Sequence, residues 1–278
     1  MKLAVDVPNF GPWADPDTVA SLAADAEAAG WDGFSVWDHI LFFSGAEVGD
    51  PWVLLTVAAA ATDRIRLFSL VTPVPRRRPW VLARQAVTLD HYSGGRLTLG
   101  VGIGAPAGPE FGVFGEPTDA RMRADMLDEG LEIIVGMWSG EPFSFAGVHY
   151  SIEENVFRPQ PVQTPRIPIW VAGAWPTKRP FRRAAQWDGV VPMTRGPESL
   201  GVSTPAELTE MKAYIDEHRK SGDPYDIAAF GIPTEDPGRM TDTLAEYAAA
   251  GVTWLRFGPH PEEDAGDFCD WVRRGPPG

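Results

Sequence analysis

The residues of this chain that could do chemistry are few, and they sit where strand-like segments end. Asp38 and His39 follow the segment 33–37. A histidine at a strand exit can donate or accept a proton near neutral pH. The other reading is a packed histidine bonded to a neighbouring carboxylate. Side chains alternate along a strand, so Asp38 and His39 point apart if the strand continues through them. A second constellation runs through Gly173, Ala174, Trp175, Thr177 and Lys178, ahead of a basic helical stretch. Glycine lets a backbone approach closely, Thr177 can cap the helix, and free N–H groups at a helix start bind phosphate. An ordinary capped turn uses the same residues. The third is RLTLGVGIG at 96–104, where Leu97, Leu99 and Val101 run into Gly100, Gly102 and Gly104 around Ile103. Glycine weakens a strand interior, so this spacing points to a backbone that something approaches closely.

What is missing narrows the chemistry. The histidines at positions 39, 91, 149, 218 and 260 show no metal-ligand spacing, and there is no GxSxG elbow. Cys269 is the only cysteine, so no intramolecular disulfide forms; its place in a final helix reads as packing. Strand exits rich in glycine and aromatics suit a flat aromatic cofactor that brings its own chemistry. Phe10, Trp13, Phe42, Phe43, Trp52 and Trp175 are available to line an apolar pocket.

The net charge of −14 argues against nucleic acid and anionic membranes as partners. An anionic cofactor then needs a local basic patch, whose field reaches about 8 Å at physiological salt. Arg76, Arg77 and Arg78 form one candidate; Lys178, Arg179, Arg182 and Arg183 form another. Each also reads as a solvated face. The start MKLAVDVPNF lacks the apolar core of a signal peptide, and no apolar run approaches the roughly 20 residues of a membrane span. The expectation is a cytoplasmic protein.

The elements that must position these groups alternate. Strand-like segments at 2–7, 33–37, 65–70 and 97–101 are interleaved with helical ones at 17–29, 52–61, 79–92 and 119–138. The rhythm breaks over 139–168, which holds a hairpin around Ala146 and Gly147 and a proline-rich return. It resumes with strands at 167–172, 189–192, 227–231 and 253–257 and helices at 178–186, 205–220, 237–250 and 265–273. Such alternation implies parallel pairing by right-handed crossovers. The fold class is α/β, a (β/α)₈ TIM barrel with a short insertion after the fourth helix, as one domain over 1–278 with the excursion at 139–168. In such a barrel the site lies at the carboxyl ends of the strands. Those ends supply Asn9, Asp38, His39, Ser69, Leu70, Val71, Gly102, Gly173, Thr194, Pro233, Thr234 and His260.

Taken in order, these pieces resemble the luciferase-like monooxygenase superfamily. The carriers are Val36-Trp37-Asp38-His39, RIRLFSLVTP from Arg64, LDHYSGGRLTLGVGIG from Leu89, Glu110-Phe111 before Phe114-Gly115, LEIIVGMWSGEPFSF from Leu131, RPQP from Arg158, IWVAG from Ile169 and RAAQWDGV from Arg183. The resemblance covers nearly the whole chain, through order and spacing rather than any single motif.

The resemblance implies a barrel that binds FMN or the deazaflavin F420 at its carboxyl face. Its members reduce or monooxygenate small organic substrates, with a separate flavin or F420 reductase as a possible partner and a homodimer as the expected assembly. It implies a phosphate pocket at Gly173, Ala174 and Trp175 with Thr177 and Lys178 nearby. It places a non-proline cis peptide between Ser69 and Leu70, beneath the ring, with Val71 following. The pair Asp38 and His39 resembles F420-dependent members, which favours F420 slightly. One departure stands out. F420-dependent sugar-phosphate dehydrogenases carry Thr-Gly-Glu after the fourth strand, whereas this chain has Ile103-Gly104-Ala105, which argues against that activity. A non-catalytic flavin-binding accessory protein of the same fold is the alternative. An unrelated barrel hydrolase using Asp38, Glu110 and His39 is a third reading.

Overall fold

The computed structural model describes residues 1–42, 45–195, 200–232, 237–260 and 263–277. Its first half runs β1 (Lys2–Val7), α1 (Pro16–Ala29), β2 (Gly33–Val36), α2 (Pro51–Ala60), β3 (Arg66–Pro73), α3 (Pro79–Tyr92) and β4 (Leu97–Gly102). Then come α4 (Ala107–Glu110), α5 (Ala120–Trp138) and the hairpin strands β5 (Pro142–Ala146) and β6 (Ser151–Val156). The second half runs β7 (Ile169–Trp175), α6 (Lys178–Ala184), β8 (Gly189–Arg195), β9 (Leu200–Gly201) and α7 (Pro205–His218). It ends with β10 (Asp226–Gly231), α8 (Pro237–Ala249), β11 (Trp254–Phe257) and α9 (Ala265–Arg273).

Helix starts follow from capping chemistry. Asp15 and Asp50 each precede a proline and accept first-turn backbone N–H groups, Thr18 N at 2.9 Å and Trp52 N at 2.9 Å respectively. Thr204 and Glu207 form a reciprocal capping box on α7. Proline at the first helical position costs nothing there, because its N–H would have no partner inside the helix. Gly30 ends α1 in the left-handed region, at φ 93°.

The eight parallel strands order as β10-β11-β1-β2-β3-β4-β7-β8, and pairing of β8 with β10 closes the barrel. One set of side chains faces the helices; Val5, Val36, Leu99, Val171 and Phe257 belong to this outer core. The other set fills the interior, where Phe68, Trp170 and Trp254 pack together. Phe68 stacks on Trp170 at 4.8 Å and meets Trp254 edge-on at 4.9 Å. Small residues make room for them. A Cβ on Gly33 would lie 2.4 Å from the Phe68 ring, and one on Gly189 would lie 2.4 Å from Trp170.

The departures from the sequence reading have local causes. β3 continues to Pro73 rather than ending at 70, with a register shift against β4 between Ser69 and Thr72. The non-proline cis peptide lies within that shift, but between Leu70 and Val71, one bond beyond the expected one. α4 contains Gly108 and Pro109, which read as a turn. β9 is two residues paired antiparallel to the end of β8, too short to leave a period in the sequence. The excursion forms the expected hairpin, and the Phe143 ring rests on Gly136 of α5, where a Cβ would lie 2.1 Å away. Among the described residues no helix is long and apolar enough to cross a membrane.

Candidate active site

His39 lies just past β2, and its backbone is fixed from β1. Asn9, fully buried, accepts from His39 N at 3.1 Å and donates to His39 O at 2.8 Å and to Gly49 O at 2.7 Å. One asparagine therefore fastens the exit of β2 to the loop before α2. The imidazole meets the rings of Phe42 at 4.6 Å, Phe10 at 6.0 Å and Trp37 at 6.1 Å. Phe10 and Phe42 stack on each other at 4.8 Å.

A sealed charge network lies beneath the ring. Glu110, whose side chain is 1% exposed, accepts from Ile40 N and Leu41 N at 3.1 Å each and pairs with Arg76. Its Oε1 is 3.4 Å from His39 Nδ1. Burial pushes the Glu110 carboxyl up, but the interactions with His39 and the two backbone N–H groups outweigh it and hold the group below the usual glutamate range. Asp38 turns away from His39. It binds Arg76 and accepts from Arg77 at 2.9 Å. Two carboxylates and two guanidiniums thus neutralise each other, as buried charges must. Arg76 and Arg77 are inside this network rather than on a basic face. Asp38, His39, Val48, Gly49, Arg76 and Arg77 line a cavity of about 290 Å³.

The barrel interior carries a second buried pair. Arg256 binds Asp6, which also accepts from Ser35. Burial pushes the Asp6 carboxyl up, against the pull of Arg256, Ser35 and Trp37.

The third-strand and fourth-strand residues prove to serve one another. A Cβ on Gly100 would lie 2.1 Å from Ser69 O, so the group approaching this glycine is the neighbouring strand. Ser69 is fully buried and donates to Gly100 O at 3.2 Å. Leu70 belongs to the interior cluster, with Val71 packed against it. A Cβ on Gly102 would meet Val71 at 3.0 Å and Ala172 at 3.4 Å. Gly104, at φ 78°, faces the Phe111 ring, and the carbonyls of Ile103 and Gly104 accept from Arg123 at 2.9 and 2.7 Å.

At the fifth barrel strand, Gly173 packs against Pro180 and Phe181 of α6. Ala174 O accepts from Thr177 N at 3.1 Å. The Thr177 side chain caps nothing. Lys178 Nζ sits 3.4 Å from the Trp175 ring centroid and 4.5 Å from that of Tyr214, and it pairs with no carboxylate among the described residues. Its neighbours are spoken for: Arg179 pairs with Asp125 and Asp128, and Arg183 with Asp128. Trp13, Trp52 and Trp175 are core residues. Phe43, Pro233 and Thr234 lie outside the described residues. Among the described residues no group of three His, Cys, Asp or Glu side chains could hold a metal ion.

The sequence singles out His39 and Asp38, and groups Glu110 with them only in the hydrolase reading; the partners Asn9 and Arg76 it does not assign. Asn9 is among the strand-exit residues without a role, and Arg76 belongs to a run read either as a basic patch for an anionic cofactor or as a solvated face. Their signal is spatial.

A family model described as luciferase-like monooxygenase matches residues 5–233. The uncharacterized protein Rv0953c of Mycobacterium tuberculosis is 33% identical over 226 residues, which cover 81% of this chain and 74% of that one. The FMNH(2)-dependent dimethylsulfone monooxygenase of Pseudomonas putida is 28% identical over 243 residues, covering 84% of this chain and 63% of the relative. Among solved structures, an F420-dependent secondary alcohol dehydrogenase in complex with an F420-acetone adduct superposes with a TM-score of 0.82. Its sequence identity is 17%, over 99% of this chain and 98% of that one, a likeness of fold.

Proposed function

The chain belongs to the luciferase-like monooxygenase family, and from that premise we propose an oxidoreductase that uses F420 or FMN, F420 favoured, to reduce or monooxygenate a small organic substrate. The observation that carries the reading is His39. It is a titratable ring at the carboxyl end of β2, 16% exposed, fixed by Asn9 and boxed by aromatics on the edge of a cavity.

The residues present fit such a cofactor. Lys178 offers a cation with no carboxylate partner among the described residues, and Thr177 offers a hydroxyl that caps nothing. Together with the backbone of Gly173, Ala174 and Trp175 they would hold a phosphate-bearing tail. Val71 and Ala172, half-buried over Leu70 and Gly102, would present an apolar, small-residue surface to a flat ring. When bound, the cofactor supplies hydride or reacts with oxygen. His39 moves a proton at its exposed ring edge. Asp38 holds Arg76 and Arg77 in place rather than exchanging protons itself. The aromatic box of Phe10, Trp37 and Phe42 excludes water from the inner side of the imidazole.

A separate reductase and a homodimer belong to the same proposal. Val53 on α2 and Val81 on α3, each about half exposed, would give the dimer an apolar contact face. The test is a parallel fluorescence titration of the purified protein with FMN and with F420. Tight F420 binding with weak FMN binding supports hydride transfer; the reverse supports a monooxygenase fed by a reductase. Binding of neither overturns the reading.

A further inference from the structure

We propose that Glu110 is the positioning residue that fixes the His39 imidazole with its proton on Nδ1 and its Nε2 lone pair facing outward. The proposal rests on the reading of His39 as the proton-transfer group and adds the side chain that decides which nitrogen transfers.

The two ring nitrogens sit in opposite surroundings. Nδ1 is sealed from solvent and makes no aligned hydrogen bond; the group beside it is Glu110 Oε1, at 3.4 Å. Nε2 has no partner among the described residues and is not among the sealed polar atoms, so it is the nitrogen that solvent or substrate reaches. An ionised carboxylate only accepts, and a bare Nδ1 lone pair beside it would set two acceptors against each other in a buried space. A proton on Nδ1 removes that conflict and leaves the Nε2 lone pair outward.

Glu110 cannot swing away to avoid the ring. Its Oε2 is held by Arg76 and Ile40 N, and its Oε1 accepts from Leu41 N. Arg76 is itself held by Asp38, which Arg77 also binds. The histidine backbone is pinned by Asn9, so ring rotation is the freedom left, and the aromatic box restricts it. The charged groups around the imidazole are therefore Glu110 from α4, Asp38 from the exit of β2, and Arg76 and Arg77 from the loop after β3. The 3.4 Å contact is longer than a formed charge-assisted bond and shortens when Nε2 takes up a proton and the ring becomes cationic. The proton then on Nε2 comes from the reacting group, and Nδ1 keeps its own.

The test is two-bond ¹H–¹⁵N NMR of the full chain labelled at histidine, which distinguishes the Nδ1–H tautomer from the Nε2–H form. H39Q identifies the His39 signals by their loss. The expected wild-type spectrum shows His39 as the Nδ1–H tautomer when neutral. E110Q should flip it, because an amide oxygen kept on Arg76 and Ile40 N turns the NH₂ toward Nδ1, giving up the Leu41 N contact, and drives the proton to Nε2. The signals of the four other histidines report whether the variant is folded. If E110Q does not fold, the wild-type spectrum decides alone. A neutral His39 that is Nε2–H in the wild type, or a tautomer unmoved in folded E110Q, overturns the proposal. Failure of FMN and F420 to bind while the Nδ1–H tautomer is present would overturn the function and leave this assignment standing.

Discussion

His39 owes its geometry to residues remote in the sequence. Asn9, Arg76 and Glu110 come from three different strand exits: Asn9 holds its backbone, Glu110 faces its ring, and Arg76 holds Glu110. Replacing His39 by Ala should lower turnover about 10²- to 10⁴-fold, the usual worth of a positioned proton donor or acceptor. Cofactor affinity, followed by fluorescence, should stay within a few-fold, and turnover near wild type would make the histidine purely structural. Lys178 predicts the complementary pattern. Its ammonium lies on Trp175 and Tyr214 with no carboxylate partner among the described residues. Lys178→Ala should therefore weaken cofactor binding most at low salt, with the difference from wild type shrinking as salt rises. An identical titration at both ionic strengths would remove Lys178 from the phosphate site. The sequence shows Asp38 and His39 because they adjoin at a strand exit. It does not show that Asp38 faces Arg76 while Glu110 faces His39, because side-chain direction after a strand ends is set by loop geometry.

At the scale of elements, carboxylates on helices hold the loops that follow other elements. Glu27 on α1 accepts from Asp63 N, Arg64 N and Ile65 N ahead of β3, with distances of 2.6–3.1 Å. Asp90 on α3 accepts from Val162 N and Gln163 N, and Glu129 on α5 accepts from Val148 N, His149 N and Tyr150 N. For Glu27, burial raises the carboxyl, but the bonds from Ile65, Arg64 and Asp63 outweigh it and set the group below the usual glutamate range. A lowered folded-state value means the ionised form favours folding. That contribution is whole above the ordinary glutamate range and is lost as the pH falls through the lowered value. Glu27→Gln should cost about 1–3 kcal/mol at neutral pH in urea unfolding, with the gap to wild type closing in acid. A constant gap across that range would refute the linkage. Helices and strands were legible because caps, prolines and apolar periods are local signals; α3 and α9 match their expected spans, 79–92 and 265–273. These carboxylate ties were not, since a surface glutamate on a helix reads like any other until the loop it holds is in place.

For the whole molecule, closure depends on how the barrel interior is filled. The eightfold alternation implies a barrel, and Phe68, Trp170 and Trp254 fall within its strand segments. Which face they occupy follows only from closure, where Gly33 and Gly189 yield the volume the rings take. Phe68→Ala removes the ring that touches both tryptophans and should cost about 3–5 kcal/mol by denaturant unfolding. A loss below about 1 kcal/mol would mean that the interior collapses into the gap, against the rigidity expected of a close-packed core. The same packing has an optical consequence. Trp170 and Trp254 hold their indoles 6.0 Å apart at 55°, fixed by neighbours on every side. Two such chromophores share their excitation, so the folded chain should carry a signed pair of bands in near-ultraviolet circular dichroism. Those bands would vanish when the interior loosens, even while the far-ultraviolet signal of helices and strands persists, making the barrel's centre its own spectroscopic gauge.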